Sequence, residues 1–490
     1  MSCDYVVIGG GPSGLLHALA AADAGRTVTV LEAADHAGGA VSDIMLDGVR
    51  LNGGAESYAI GTGAMVEWIE TLGLSDQVAS PQGNASWIHS NHGSFPIPGT
   101  SLWGIPTEPL NDDVKRAVGR WGALRAWADA LLPGSYGAEP GISTYDYVSK
   151  RMGKRVADRL LVPLITGVHS ADPRTLELEA LVPGLIDSVK QYGSLRRGAR
   201  AVLDKRRAAN QSAKTAGAAV GATVPTMSTL IDGLVDALKQ RGGTLETGVR
   251  VRSIHRDDSG RVDSGRDGRG GWTVLADGGR SFDAAALAVA TDPDTARALL
   301  AEPAPEVAEH IPEAPASPVR LVAMSVVSPK LARNPRGNGV LVPPDTRGVR
   351  AKAMTHLSAK WEHIEREASK VADRAFVRLS YSPADGELPD PALFPEQAVQ
   401  DLAAMTGVDA TEIEVRDWLV QDWPVTQRRR LPGHAESLAA LSIALSEDPT
   451  LELTGSWRAG TGLDAIARFA KTTHVPPAPT DTRHSTDTTP

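Results

Sequence analysis

The chain is short of cysteine, short of aromatic residues and without any long apolar run, and each shortage removes a class of function. A single cysteine, Cys3, in 490 residues excludes a disulfide within the chain and any paired-cysteine redox centre. No apolar stretch reaches the length of a membrane span. No leader-like segment precedes the first strand signal, which begins at residue 3. A basic excess is also missing: 50 Lys and Arg stand against 59 Asp and Glu, a net charge of −9, which argues against a nucleic-acid partner. These features predict a soluble cytoplasmic protein whose membrane contact is at most peripheral. With 42 % apolar residues, 490 positions suffice for two or three globular domains.

What is present begins at the amino terminus. Tyr5-Val6-Val7-Ile8 is an apolar run of the kind a buried parallel strand needs. Gly9, Gly11 and Gly14 follow in the spacing G-x-G-x-x-G, and Leu15 to Ala24 reads as a helix. In this arrangement the first glycine allows the turn, the second lets a pyrophosphate approach the backbone, and the third lets helix and strand pack closely. The helix amino terminus would then direct N–H groups at the phosphates. A second strand, Thr27–Leu31, leads to Glu32, eighteen residues beyond Gly14, where an acid is suited to ribose hydroxyls and disfavours a 2′-phosphate. The chain carries no second motif of this kind for a nicotinamide cofactor.

Further along, a helix is expected near 63–73, and Ser86–His89 with Ser94–Ile97 reads as a hairpin around Asn91-His92-Gly93. His89 and His92 lack a Cys or acid at ligand spacing, so no metal site is expected there. Residues 111–200 read as mainly helical, with Ser143-Thr144 as a cap and helices at Val156–Ile165 and Leu176–Val189. Residues 204–222 read as a mobile loop. A helix over Ser228–Arg241 and strands at Val249–Ile254, Trp272–Leu275 and Ala285–Ala290 return to the nucleotide fold. Residues 305–318 mark a boundary, and strands at Val319–Val327, Ala351–Thr355 and Ala375–Tyr381 form a separate antiparallel sheet. The reading is an α/β (α+β overall) chain. A Rossmann-type nucleotide domain spans 1–80, 223–300 and 446–474, and an antiparallel-sheet substrate domain spans 81–107 and 301–445. A helical subdomain spans 108–203, and a disordered tail spans 475–490.

Several segments in order resemble the porphyrinogen oxidases of bacteria, within the FAD-dependent amine oxidase superfamily. They are Gly38-Gly39, Gly53-Gly54-Ala55-Glu56-Ser57, Phe95–Pro98 with Gly104–Thr107, Pro163–Asp172, Lys360–His363, Trp423 with Pro432-Gly433-His434, and Leu451–Leu463. Ala40 stands where that family often has Arg or Lys, and Leu463-Asp464 follows Gly462 without an intervening Pro. The resemblance implies a non-covalently held FAD. Its expected contacts are Gly9, Gly10, Gly11, Pro12, Ser13, Gly14, Glu32, Ala33, Gly38, Gly39, Gly54, Ala55, Glu56, Ser57, Val251, Trp423, Gly460, Thr461, Gly462 and Leu463. Gly167 would lie against the substrate.

The resemblance also implies the chemistry. A hydride leaves a methylene bridge of the porphyrinogen and a pyrrole N–H loses a proton. Because the pyrroles push the hydride out themselves, no catalytic side chain is expected. Six electrons pass in three rounds to O2, giving H2O2. The four propionates of coproporphyrinogen III suit a soluble chain, which favours it over protoporphyrinogen IX, and its product could be handed to a ferrochelatase. A flavin amine oxidase is the nearest rival, but it would need an aromatic cage, and aromatic residues make up only 4 % of the chain. A carotenoid desaturase and a non-enzymatic porphyrin carrier are more distant.

Overall fold

The apolar run Tyr5–Ile8 is buried on both faces and forms the centre of a seven-stranded sheet. Tyr5 and Val7 pack into one hydrophobic cluster, while Val6 and Ile8 pack into another on the opposite face. A strand covered on both sides therefore has no polar alternation to show, which is why it reads as a continuous apolar run. In the computed structural model, strand Ser2–Ile8 pairs in parallel with Val28–Leu31 on one side and with Arg280–Val289 on the other. Thr244–Glu246 adds to the far edge of Val28–Leu31, also in parallel.

The long strand Arg280–Val289 has a divided second edge. Its first half runs antiparallel to Gly271–Ala276, which pairs with Val251–Asp257, and its last three residues take Leu451–Leu453 in parallel. Helices Pro12–Asp23, Ser228–Gln240 and Leu463–Thr472 cover one face through Leu15, Leu19, Leu230, Leu234, Leu238, Ile466 and Ala467.

A second seven-stranded sheet has the order Glu414–Arg428, Ala316–Val327, Arg374–Tyr381, Ala353–His356, Gly339–Leu341, Ser86–Ser90 and Gly93–Pro96. All its pairings are antiparallel except that of Gly339–Leu341 with Ser86–Ile88, which is parallel. The expected hairpin thus forms and closes one edge of this sheet. Ala323, Leu357, Trp361 and Phe376 of this half belong to the same cluster as Tyr5 and Leu15, so the two sheets share a core.

The helices between residues 112 and 209 have their own core around Val118, Tyr147, Leu160, Leu161 and Leu195. Asp129 and Arg151 form an ion pair at 2.7 Å in that core, with neither side chain exposed. Arg151 also donates to the carbonyls of Pro133 and Tyr136, each at 3.0 Å, and the Arg196 N–H donates to Asp129 at 3.2 Å.

The structure describes residues 2–139, 141–169, 172–209, 220–257, 271–382, 388–428, 431 and 433–472. Most of the expected mobile loop (210–219) and the expected tail (475–490) lie outside them. The remainder of that loop is corrected. Helix Leu195–Ala209 runs through Asp204–Ala209, because Lys, Arg and Ala there all favour helix. Val220–Thr223 is a strand between Tyr58–Ala59 and Val78–Ala79.

The helix expected over Leu176–Val189 is instead two, Leu178–Leu181 and Leu185–Tyr192, broken at Pro183-Gly184. Gly184 has φ +77°, a backbone conformation that ends one helix and starts the next. The helix at Val156–Ile165 lies inside a longer run from Lys154 to His169 that widens to a π-turn at Ala157–Leu161. The strand expected from Val249 begins at Val251. The boundary at 305–318 holds the short helix Pro305–Ala308 and the start of strand Ala316–Val327. Among the described residues no helix is long and apolar enough to cross a membrane.

Breaking the Asp129–Arg151 pair tests what orders the helical part. Arg151→Met leaves a buried carboxylate without its partner, so a loss of about 3–5 kcal/mol is expected. Thermal denaturation reads it, and an unchanged melting temperature would rule out a stabilising role for the pair.

Candidate active site

The glycines of the first turn do different work. A Cβ on Gly14 would stand 1.9 Å from the Gly9 carbonyl oxygen, so this position is closed by the protein itself. A Cβ on Gly11 would meet nothing within 4 Å, and Gly11 faces a cavity. Gly11 caps helix Pro12–Asp23 without a side-chain hydrogen bond, and no acid occupies the first turn. Beside it the Ser13 hydroxyl is buried and has no hydrogen-bond partner. A bare helix amino terminus, an open approach and an orphaned hydroxyl together fit a phosphate group. Glu32 lies behind them. Its carboxylate accepts from the N–H groups of Gly10 at 2.7 Å and Ala34 at 2.8 Å, and unused lone pairs remain for a ribose.

The cavity has a volume of about 3050 Å³. Of the expected contacts, Gly11, Pro12, Ser13, Gly39, Gly54, Ala55, Glu56, Ser57, Gly167, Trp423, Gly460, Thr461, Gly462 and Leu463 line it. Gly9, Gly10, Gly14 and Gly38 shape the turns behind this wall, where the Gly38 N–H donates to the Gly10 carbonyl at 2.9 Å. Ala33 is exposed beside Glu32, and Val251 starts its strand two residues past Val249, whose N–H donates to the Glu32 carbonyl. Neither these six nor Glu32 is part of the lining. The expected turn over Gly455–Leu463 contains a short helix, Ser456–Ala459, before the final helix opens at Leu463. Of the two histidines in the hairpin, His89 bonds Ser94 at 2.8 Å and His92 is exposed at the turn.

The segment Gly53–Ser57 is gripped from three sides. The Ala55 N–H donates to the Ala40 carbonyl at 2.8 Å, and the Trp423 indole N–H donates to the Gly53 carbonyl at 2.9 Å. A Cβ on Gly54 would fall 2.1 Å from the Ala40 oxygen, so only glycine fits this crossing. Glu56 is buried and receives Lys360 at 2.7 Å and the Trp361 indole at 2.9 Å on one oxygen, and Arg378 at 2.6 Å on the other. Arg378 also donates to the carbonyls of Asn52 and Gly54. Burial alone would raise the Glu56 pKa. Lys360 and Arg378 outweigh it and bring the carboxyl down to about 2.

Lys360, Trp361 and Arg378 were not among the expected site residues. A charged residue inside the otherwise apolar strand Ala375–Leu379 was the available signal for Arg378. Asp464 was also missed. Its carboxylate reaches across to the start of helix Ala64–Thr71, accepting from the Thr62 hydroxyl at 2.7 Å and the Met65 N–H at 3.1 Å.

A mixed sheet presenting a glycine turn and a helix end from its parallel part, with a second sheet lining the same large cavity, is the architecture of an FAD-dependent oxidoreductase. The chain belongs to the family described as flavin containing amine oxidoreductase, whose profile matches residues 12–467. It is 29 % identical to a coproporphyrinogen III oxidase of Mycobacterium bovis, with 95 % of each chain covered. It is 27 % identical to a coproporphyrinogen III oxidase of Propionibacterium freudenreichii, over 99 % of this chain and 90 % of that one. A crystal structure from Exiguobacterium, provisionally named as a protoporphyrinogen oxidase, shares the fold with a TM-score of 0.78 at 20 % identity, covering 96 % of this chain and 97 % of that one. The cofactor is FAD, and the open Gly11 approach with the orphaned Ser13 hydroxyl fits its diphosphate.

Two tests follow from this geometry. Gly11→Ala should keep the melting temperature of the cofactor-free protein while weakening FAD binding at least about tenfold. Gly14→Ala should destabilise the cofactor-free protein itself. Titration with FAD and melting of the stripped protein separate the two, and equal behaviour of both variants would contradict the assignment. The second test uses pH. A carboxyl held below its ordinary value stabilises the fold above that value and loses the contribution as pH falls. For Glu56 the window runs from about 4.5 down to about 2. Glu56→Gln should show a flatter fall in stability across that window than the parent chain. An acid unfolding curve parallel to the parent's would show that the cluster is not what acid disrupts.

Proposed function

We propose that the protein oxidises coproporphyrinogen III to coproporphyrin III. The observation that carries this reading is the cavity, at about 3050 Å³. Sites for one drug-sized ligand occupy roughly 300–1,000 Å³, so this volume accommodates a dinucleotide and a second large molecule. The second sheet lends the cavity Val319, Leu321, Val340 and Leu341 beside the polar Lys352, Arg378, Ser380 and Asp422, and Ile97 and Leu164 extend the apolar part. The apolar part of this surface suits the pyrrole rings of a tetrapyrrole. The full-length similarity to relatives named coproporphyrinogen III oxidase supports the same substrate.

FAD, when bound, supplies two-electron acceptance. The chain's own residues position and shield. Gly11, Ser13 and Glu32 hold the dinucleotide end, and the Glu56 cluster fixes the crossing segment between the two sheets. The sheet wall and the helices behind Gly167 keep water from the macrocycle. Three two-electron rounds remove six hydrogens in all, and with O2 as acceptor three O2 become three H2O2. Hand-over of the product to a ferrochelatase would follow this step, and the cytoplasm is the compartment proposed.

The amine oxidase reading is weaker. Among the described lining residues the aromatic side chains are Trp423 and Trp457. Both indole N–H groups are tied to backbone carbonyls, Gly53 at 2.9 Å and Thr291 at 3.1 Å, which locks these rings into the wall.

The purified holoenzyme in air, given coproporphyrinogen III, should generate porphyrin fluorescence and one H2O2 for each O2 consumed. Protoporphyrinogen IX should react with a lower kcat/KM. A flavin-containing protein inert to both but active on amines would overturn the proposal.

A further inference from the structure

The strand register sorts the side chains of the second sheet between its two faces. Val322, Val340, Met354, Val377, Leu379 and Tyr381 pack together in one buried cluster. Because side chains alternate along a strand, Leu321, Leu341, Ala353, Thr355, Arg378 and Ser380 face the other way, and all six line the cavity. Two rows cross the strands on that face. Leu321 pairs with Ser380, Ser380 with Ala353, and Ala353 with Leu341. One step along, Arg378 pairs with Thr355, Thr355 with Gly339, and Gly339 with Ser86. Arg378 can only donate, and it is committed to Glu56 and to the carbonyls of Asn52 and Gly54. Ser86 is exposed, in the hairpin. The acceptors in the middle of this face are therefore the hydroxyls of Thr355 and Ser380. Both residues are half-buried, and among the described residues neither hydroxyl has a hydrogen-bond partner. They are diagonal neighbours, about 7 Å apart in a regular sheet. Ala353 and Gly339, which pair with them, are too small to cover them.

A reduced tetrapyrrole carries the complementary pattern. Its bridges are saturated, so the macrocycle is puckered and its central pyrrole N–H groups can turn toward one face, with apolar rings around them. Burying those donors against a purely apolar surface would leave each one unsatisfied. We infer that the hydroxyl oxygens of Thr355 and Ser380 accept pyrrole N–H groups of the porphyrinogen, while Leu321 and Leu341 flank its rings. The inference rests on the porphyrinogen reading above. It makes Thr355 and Ser380 substrate-positioning residues, which set the tilt of the macrocycle and so decide which bridge carbon meets the flavin. The pair also distinguishes substrate from product. An oxidised porphyrin is flat and holds its remaining N–H groups in the ring plane, out of reach of hydroxyls that approach from a face. Each molecule therefore gives up these two contacts as it becomes aromatic, which favours release.

The test uses the holoenzyme with coproporphyrinogen III as substrate, made by reducing coproporphyrin III, and with coproporphyrin III itself as inhibitor. Thr355→Val removes one hydroxyl with little change of shape, and Ser380→Ala removes the other. Each should lower kcat/KM about fivefold and the double variant about twentyfold, the loss of one and of two hydrogen bonds. Thr355→Ser, which keeps the hydroxyl, should stay within about twofold of the parent. The inhibition constant of coproporphyrin III and the FAD content should also stay within about twofold in every variant, which a general distortion of the wall would not leave intact. A double variant with the parent's kcat/KM would overturn this inference alone. So would equal losses for coproporphyrinogen and coproporphyrin, or a weakened hold on FAD. Absence of turnover by the parent would overturn the substrate assignment and this inference with it. If the double variant fails to fold, the single variants decide, and a Thr355→Ser protein as impaired as Thr355→Val would overturn the inference.

Discussion

The buried carboxylate of Glu56 is where the two halves of this protein are joined. It is reached by two cations and an indole, all from the second sheet and the segment beside it, while its own backbone belongs to the nucleotide half. Each charge in that cluster would be expensive alone, and the cluster is tolerable only because all are present together. Arg378 adds to the constraint, since it holds the backbone carbonyls of the same crossing segment as well as its side chain. This junction, with the pairs Asp47–Arg374 and Arg428–Asp292 and the shared core, sets the relative placement of the two sheets and with it the width of the cavity. Trp423 supports it from the far edge of the second sheet, and the shared apolar core below fills the space that the polar cluster leaves.

The parts that were legible in the sequence are those whose physics is local. Tyr5–Ile8, the glycine turn and Glu32 lie within thirty-two residues, and each element constrains the next one directly. The strand expected at Val319–Val327 starts three residues earlier, at Ala316, and the hairpin expected over Ser86–His89 and Ser94–Ile97 forms as Ser86–Ser90 and Gly93–Pro96, because both carry their own local patterns. Where local signals conflicted, the reading failed: Pro183-Gly184 split a helix that apolar spacing alone had joined, and a basic stretch after Leu203 stayed helical although its composition suggested a loop.

The illegible parts are contacts between distant positions. Asp464 caps a helix that begins four hundred residues earlier, and Glu56 meets partners more than three hundred residues away. Nothing in the periodicity around either acid names its partner. The cavity itself has the same origin, since its walls come from the first turn, the middle strands and the last helix. A motif can announce a nucleotide site, but the second ligand's walls emerge only when the sheets are set against each other.

The divided edge of strand Arg280–Val289 has a consequence for the order of events as the chain is made. The glycine turn leaves the ribosome first, yet the strand that flanks it comes some 270 residues later, and that strand's own last partner, Leu451–Leu453, later still. Long-range parallel pairing of this kind must wait for its distant segments. Until they arrive the dinucleotide turn is an unsupported fragment, and the final helix that closes the cavity has not been synthesised. Completion of the dinucleotide site therefore waits for Leu451–Leu453 and the helix that follows it.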